Sequence, residues 1–174
     1  MARFRKASTR KTAGEPLHYR ACGLDDVYLV NGFTRQVIDG EEYIRIENFK
    51  GLWKSIGLHL VSKKKVLAPR ELRFIRDQME LTQAGLGALL RVSDQSVARW
   101  EKGKSDAGSA DIAIRFLYLN SEAAQPEGQQ ILKHARKMVE ELVESDEPTD
   151  EAVAFRHSGA KWKEAEAPRV LELA

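Results

Sequence analysis

Thr82-Gln83-Ala84-Gly85-Leu86-Gly87-Ala88-Leu89-Leu90-Arg91-Val92-Ser93-Asp94-Gln95-Ser96-Val97-Ala98-Arg99-Trp100-Glu101-Lys102-Gly103 is the stretch that decides the reading of this chain. Thr82 and Ser93 are helix-starting residue types, so the stretch reads as two short helices separated by a tight turn. Leu86, Leu90, Val92, Val97 and Trp100 are apolar anchors at spacings that let the two helices pack at a steep angle, with Gly87 small where they approach. The second helix then carries Ser93, Asp94, Gln95, Ser96 and Arg99 on its outer side. Those side chains hydrogen-bond base edges and phosphates. This is the logic of a helix-turn-helix reader of DNA. Arg91 in the turn, Lys102 at the end of the recognition helix (94–102) and Lys104 just past it complete the candidate contacts.

Working outward, residues 66–120 read as an all-α domain. Pro69 suits a first helical position, Leu72, Ile75 and Met79 form an inner face, and a further helix falls around Ser109–Asn120. Residues 121–145 read as a long C-terminal amphipathic helix opened by Pro126, with Ile131, Leu132, Ala135, Met138, Val139, Leu142 and Val143 as a broad apolar stripe. That stripe must bury against its own domain or a second chain. Between Glu140 and Glu151 there are seven acids and no bases. Residues 146–174 read as an acidic, mostly disordered tail. Phe155, Trp162, Val170, Leu171 and Leu173 are its apolar minority, either solvated or a segment that folds on a partner.

Upstream, residues 17–65 read as a small βββα unit. Val27–Val30, Phe33–Ile38 and Tyr43–Ile46 are β-rich runs separated by Asn31-Gly32 and Asp39-Gly40, dipeptides that supply the positive φ of tight hairpin turns. Asn48 then caps a helix with Phe49, Leu52, Trp53, Ile56 and Leu60 on one face, expected to lie across the strands. Ser62-Lys63-Lys64-Lys65 reads as a linker, its lysines either phosphate contacts or a soluble connector. Residues 1–16, with Arg3, Arg5, Lys6, Arg10 and Lys11, read as a basic flexible arm. It is either a floppy terminus or a phosphate- or minor-groove-seeking segment. The expected fold class is α+β: the βββα unit, a helix-turn-helix domain and a long C-terminal helix.

Composition frames these assignments. The chain has 174 residues, 43% of them hydrophobic, enough for one ordinary domain or two small ones and against wholesale disorder. Its net charge of +2 hides a gradient. Residues 1–67 carry 13 basic and 7 acidic residues, residues 68–120 carry 8 and 7, and residues 121–174 carry 7 and 12. A basic front of this kind suits a polyanionic partner. No apolar run is long enough to span a membrane, and the basic start leads into no secretory apolar region. The single cysteine, Cys22, suits a reducing, cytoplasmic setting. His18, His59, His134 and His157 stand at no metal-ligand spacing with it, and Asp25-Asp26 reads as turn chemistry. No metal, cofactor or catalytic residue is expected, and the chain does not read as an enzyme.

From Leu81 to Gly103 the sequence resembles the Xre/Cro-repressor type of helix-turn-helix, and Arg70-Glu71-Leu72-Arg73-Phe74-Ile75-Arg76 resembles that family's first helix. The resemblance implies a lambda-repressor-like domain. It implies that Gln83 binds phosphate at a helix N-terminus, that Asp94, Gln95, Ser96 and Arg99 face the major groove, and that Arg76 and Glu101 form a buried ion pair. Two positions depart from the pattern. Arg91 stands where the family usually has glycine, at a cost of about 1–2 kcal/mol if the backbone there is left-handed. Asp94 repels phosphate, but it can accept from cytosine N4 or stabilise the helix N-terminus. The front segment Tyr19–Phe33, followed by a helix and this motif, resembles MqsA-like and HigA-like antitoxins. The two zinc-binding cysteine pairs of the MqsA type are missing, so zinc is not carried over.

The sequence therefore points to a transcriptional regulator, a repressor that binds double-stranded DNA as a homodimer on an inverted repeat and is autoregulatory in the antitoxin case. A different class of function is a protein-interaction module, in which the front domain or acidic tail neutralises a basic, toxin-like partner.

Overall fold

The fold was obtained as a computed structural model that describes residues 8–10, 15–144 and 152–167. In chain order the elements are β1 (Ser8–Arg10), β2 (Leu17–His18), β3 (Val27–Leu29), β4 (Phe33–Ile38), β5 (Glu41–Ile46), α1 (Phe49–Lys63), α2 (Pro69–Gln78), α3 (Gln83–Leu90), α4 (Asp94–Glu101), α5 (Ala110–Asn120), α6 (Glu127–Leu132), α7 (Ala135–Glu144), β6 (Val153–Ser158) and β7 (Lys161–Ala165). Short 3-10 turns lie at Arg20–Cys22 and Glu122–Ala124. The chain divides into a strand unit (residues 1–19, 26–52 and 152–174) and a helical unit (residues 20–25 and 53–151), the division falling within α1. The chain is thus mixed α and β, with the helix-turn-helix in the helical unit.

The strand unit differs from a three-stranded meander. One sheet has the order β1-β4-β5 and is antiparallel; the other has the order β2-β3-β6-β7, with β3 and β6 parallel. The Asp39-Gly40 turn behaves as its sequence demands. Both residues have positive φ (53° and 88°) and join β4 to β5 with Ile38 opposite Glu41. Asn31-Gly32 closes no hairpin. Instead the Asn31 side chain acts like a piece of strand: its amide donates to the His157 carbonyl (3.1 Å) and its oxygen accepts from the His157 N–H (2.6 Å). Gly32, at φ +74°, leaves room for the Trp162 ring; a Cβ there would fall 2.6 Å from that ring.

The reading of residues 146–174 as a disordered tail is therefore corrected over 153–165. β6 and β7 form a hairpin around Gly159 that adds to β3, and Phe155 and Trp162 are buried. Trp162 Nε1–H donates to the carbonyls of Glu47 and Asn48 (3.0 and 3.2 Å), and the Asn48 amide donates to Ala160 O (2.8 Å). Asn48 does cap α1, its Oδ1 accepting from Gly51 N–H (3.2 Å), although its own φ of 44° is left-handed. The arm assignment is likewise corrected at Ser8–Arg10, which pairs with β4. Residues 1–7 and 11–14 of that arm, the acidic cluster beyond Glu144, and Val170, Leu171 and Leu173 lie outside the described residues.

From Trp53 onward α1 packs with the helices rather than across the strands. Trp53 meets Phe74 of α2, with ring centroids 5.4 Å apart. Gly57 allows the Tyr118 hydroxyl of α5 to approach, and Lys54 pairs with Glu127 (2.8 Å). The end of α1 is held by Arg115 of α5, which is fully buried. Its guanidinium pairs with Asp111 and donates to the carbonyls of Leu60 (3.1 Å), Val61 (2.9 Å) and Lys65 (3.4 Å). Asp111 in turn accepts the Leu67 N–H (2.8 Å). The lysine run is not a free linker: Lys63 ends α1, and Lys64 is buried 3.7 Å from Glu71.

The long C-terminal helix is also corrected. It is split into α6 and α7 by a tightened turn in which His134 N–H reaches back three residues to Ile131 O. α6 is drawn onto α5, where Gly128 lies against the Leu119 carbonyl so closely that a Cβ would stand 2.2 Å from it. The side chains of Ala135, Met138, Leu142 and Val143, four of the seven residues of the expected stripe, lie outside the described residues.

Trp162→Ala should lower stability by about 3–5 kcal/mol, the cost of emptying a buried aromatic site. Chemical denaturation of the full chain measures it. A change below about 1 kcal/mol would leave the β6–β7 hairpin without a structural role.

Candidate nucleic-acid interface

The interface is built on α3 and α4. Thr82 caps α3, its hydroxyl accepting from Gly85 N–H (2.9 Å); Ser93 caps α4, accepting from Ser96 N–H (3.0 Å). Leu86, Val97 and Trp100 are buried between the helices. Gly87 is required by close approach, since a Cβ would stand 2.8 Å from the Val92 carbonyl. The turn closes through Arg91, which has φ 57° and ψ 41°, the left-handed geometry that its departure from glycine raised as a question. Val92 N–H donates to Gly87 O (2.9 Å), the six-to-one bond of a Schellman ending. Gly103, at φ +65°, ends α4 in the same manner, with Lys104 N–H on Arg99 O (2.9 Å).

Burying Val97 and Trp100 sets which way the rest of α4 faces. Gln95, Arg99 and Lys102 stand at i, i+4 and i+7, and all three are exposed. Arg91, Ser93, Asp94 and Lys104 are exposed too, while Ser96 is half-buried, its hydroxyl 2.9 Å from that of Ser93. Asp94 is engaged locally: its carboxylate accepts the Gln95 N–H (2.8 Å), where a negative charge stabilises the helix N-terminus. Among the described residues, Arg91, Arg99, Lys102 and Lys104 form no ion pair, so their charges are free for a polyanion.

Arg76 and Glu101 meet in a two-pronged pair, Nε to Oε1 at 2.6 Å and Nη2 to Oε2 at 3.0 Å, with side chains 9% and 4% exposed. The pair is larger than expected. Gln83 Nε2 donates to Glu101 Oε2 (2.8 Å), so the amide assigned to phosphate also belongs to this network. Arg76 Nη1 donates to Asp77 (2.6 Å) and to Leu81 O (2.7 Å). Asp77 was missed in the sequence because adjacent residues on a helix do not face each other; a long guanidinium swung towards α4 brings its outer nitrogen back over its neighbour. Burial works against the Glu101 carboxylate, but the hydrogen bonds from Arg76 and Gln83 and the attraction of Arg76 outweigh it and hold its pKa below the usual range.

The Helix-turn-helix family model matches residues 72–113, from α2 into α5. That segment is similar to helix-turn-helix domains, a class of module that reads DNA. No curated protein and no solved structure matches the chain. Among the described residues no helix is long and apolar enough to cross a membrane, and no three His, Cys, Asp or Glu side chains gather as a metal site.

Because the Glu101 pKa is lowered on folding, its contribution to stability is present above the ordinary carboxyl range and is lost as pH falls through the lowered value. Glu101→Gln should cost about 3 kcal/mol at neutral pH. The wild-type advantage should shrink as pH drops below about 4.5. Denaturation of both proteins across that range checks this, and a difference that does not change with pH would remove Glu101 as the source.

Proposed function

We propose that this chain is a sequence-specific transcriptional regulator that binds an inverted-repeat operator as a homodimer, and that it represses by occupying that operator. The observation that carries the reading is the exposed row Gln95, Arg99 and Lys102 on a helix whose other face is fixed by buried Val97 and Trp100. Gln95 is suited to an adenine edge, Arg99 to guanine or phosphate, and Lys102 and Lys104 to the backbone. Arg91 adds a positive charge in the turn. Gln83 brings a donor at the N-terminus of α3, where backbone N–H groups attract phosphate. One such head buries little surface. Two, related by symmetry and spaced about one helical turn of DNA or a multiple of it, reach the area that specific binding needs.

The balance of residues 68–120, 8 basic against 7 acidic, gives the reading head little bulk attraction. In this reading its contribution is discrimination. An autoregulatory antitoxin role is compatible with it. Neutralisation of a partner through apolar tail residues has less support, because Phe155 and Trp162 are buried within the strand unit.

Selection of bound duplexes from a random pool by the full chain tests the proposal. Enrichment of a two-fold-symmetric site is expected, and failure to enrich any sequence would overturn it. Gln95→Ala should relax preference at one position per half-site by about 1–3 kcal/mol. Lys102→Ala should instead weaken all sites alike and flatten the dependence of log K on log salt by about one per protomer.

A further inference from the structure

The β4–β5 hairpin stands apart from the rest of the surface. Of the seven large hydrophobic residues that are exposed among the described residues, four lie on it: Val37, Ile38, Tyr43 and Ile44. Among the described residues β5 is also the open edge of its sheet, which has the order β1-β4-β5. The direction of its free backbone groups follows from the turn. A two-residue hairpin closes on a hydrogen-bonded pair, here Ile38 and Glu41, so Tyr43 and Arg45 also turn their N–H and C=O groups towards β4. Glu47 N–H on Gly32 O (2.8 Å) continues that alternation. Glu42, Ile44 and Ile46 therefore present their backbone groups outward.

We infer that β5 is the homodimer contact, pairing antiparallel with β5 of a second copy so that Tyr43 lies opposite Tyr43 of that copy. The inference deepens the dimeric regulator proposed above and rests on it for the role of the second copy. A two-fold axis through an antiparallel strand pair runs perpendicular to the sheet, so opposed residues must have the same parity. With Tyr43 on the axis, Glu42 lies opposite Ile44 and exchanges both backbone hydrogen bonds with it, using the outward groups. Glu41 lies opposite Arg45, and Arg45 opposite Glu41, on the same face as the two tyrosines. The charges of this strand are thus complementary to their own two-fold image, and the aromatic pair occupies the closely spaced, non-hydrogen-bonded position. The pairing joins two three-stranded sheets into one of six strands and removes an exposed edge.

Charge reversal tests the register in the full chain. Glu41→Arg and Arg45→Glu each place like charges opposite one another twice per dimer. Each should raise the dimer dissociation constant about tenfold. The double variant E41R/R45E restores opposite charges across the axis and should return the constant to within about threefold of wild type. Within one chain these two positions are four residues apart along an extended strand, about 13 Å, so rescue reports a contact between copies. Ile44→Pro removes only an outward N–H, leaving the β4–β5 bonds intact, and should give a monomer.

Sedimentation equilibrium over a concentration series reads all four proteins beside wild type. A wild-type monomer at every concentration, or a dimer indifferent to these changes, would overturn the inference while duplex selection still judged the DNA reading. A wild-type dimer that dissociates and recovers as described, yet enriches no DNA, would sustain the strand contact and sink the regulator.

Discussion

The buried guanidinium of Arg115 is the interaction on which the helical unit depends. A charge with no solvent exposure is tolerable only when every donor is used. Here Asp111 takes one side, and three carbonyls at the end of α1 and just beyond it take the other. Those carbonyls would otherwise be orphans at a helix C-terminus, where a positive charge is also favoured by the helix dipole. Asp111 then fixes Leu67 at the approach to α2. One side chain thereby sets where α1 stops, how the chain turns and where α2 begins. From α2, Arg76 reaches Glu101 and holds the reading helix from behind. The two ion networks are consecutive links of a single frame.

That frame explains why the reading face is polar without being crowded by its own partners. The acids near α4 are committed inward or to the backbone: Glu101 to Arg76 and Gln83, Asp77 to Arg76, Asp94 to its own helix. The bases at the end of α4 remain outside. The head carries nearly balanced formal charge, yet presents cations outward.

The helix-turn-helix was legible because its information is local. Caps, a close-approach glycine, and apolar positions at helical spacing lie within 22 consecutive residues, Thr82 to Gly103. The Arg76–Glu101 pair was legible only through resemblance, since nothing in spacing connects residues so far apart. The strand unit was misread because its decisive contacts are the most distant in the chain. Asn31-Gly32 has hairpin chemistry, but its polar groups are claimed by His157 and its open space by Trp162. The sequence around Phe155 and Trp162 looks irregular because charged residues (Arg156, Lys161, Lys163 and Glu164) break up its apolar pattern and the partner strand β3 lies more than a hundred residues earlier. The placement of α1 with the strands fails from Trp53 onward for a related reason. Its apolar face declared burial, but only the Gly57–Tyr118 approach and the Arg115 clamp say against what.

The parallel pairing of β3 with β6 has a consequence for the order in which the chain can fold. The helical unit draws on residues 20–25 and 53–151, so its elements are all present before β6 is made. The four-stranded sheet cannot close until residues 153–165 have left the ribosome. During synthesis from the N-terminus, β3 waits with an open edge while the reading head assembles. The helical unit is therefore complete before the strand unit is. A chain cut short before Val153 would retain the head and lose the sheet, separating by length alone what charge and shape combine in the finished protein.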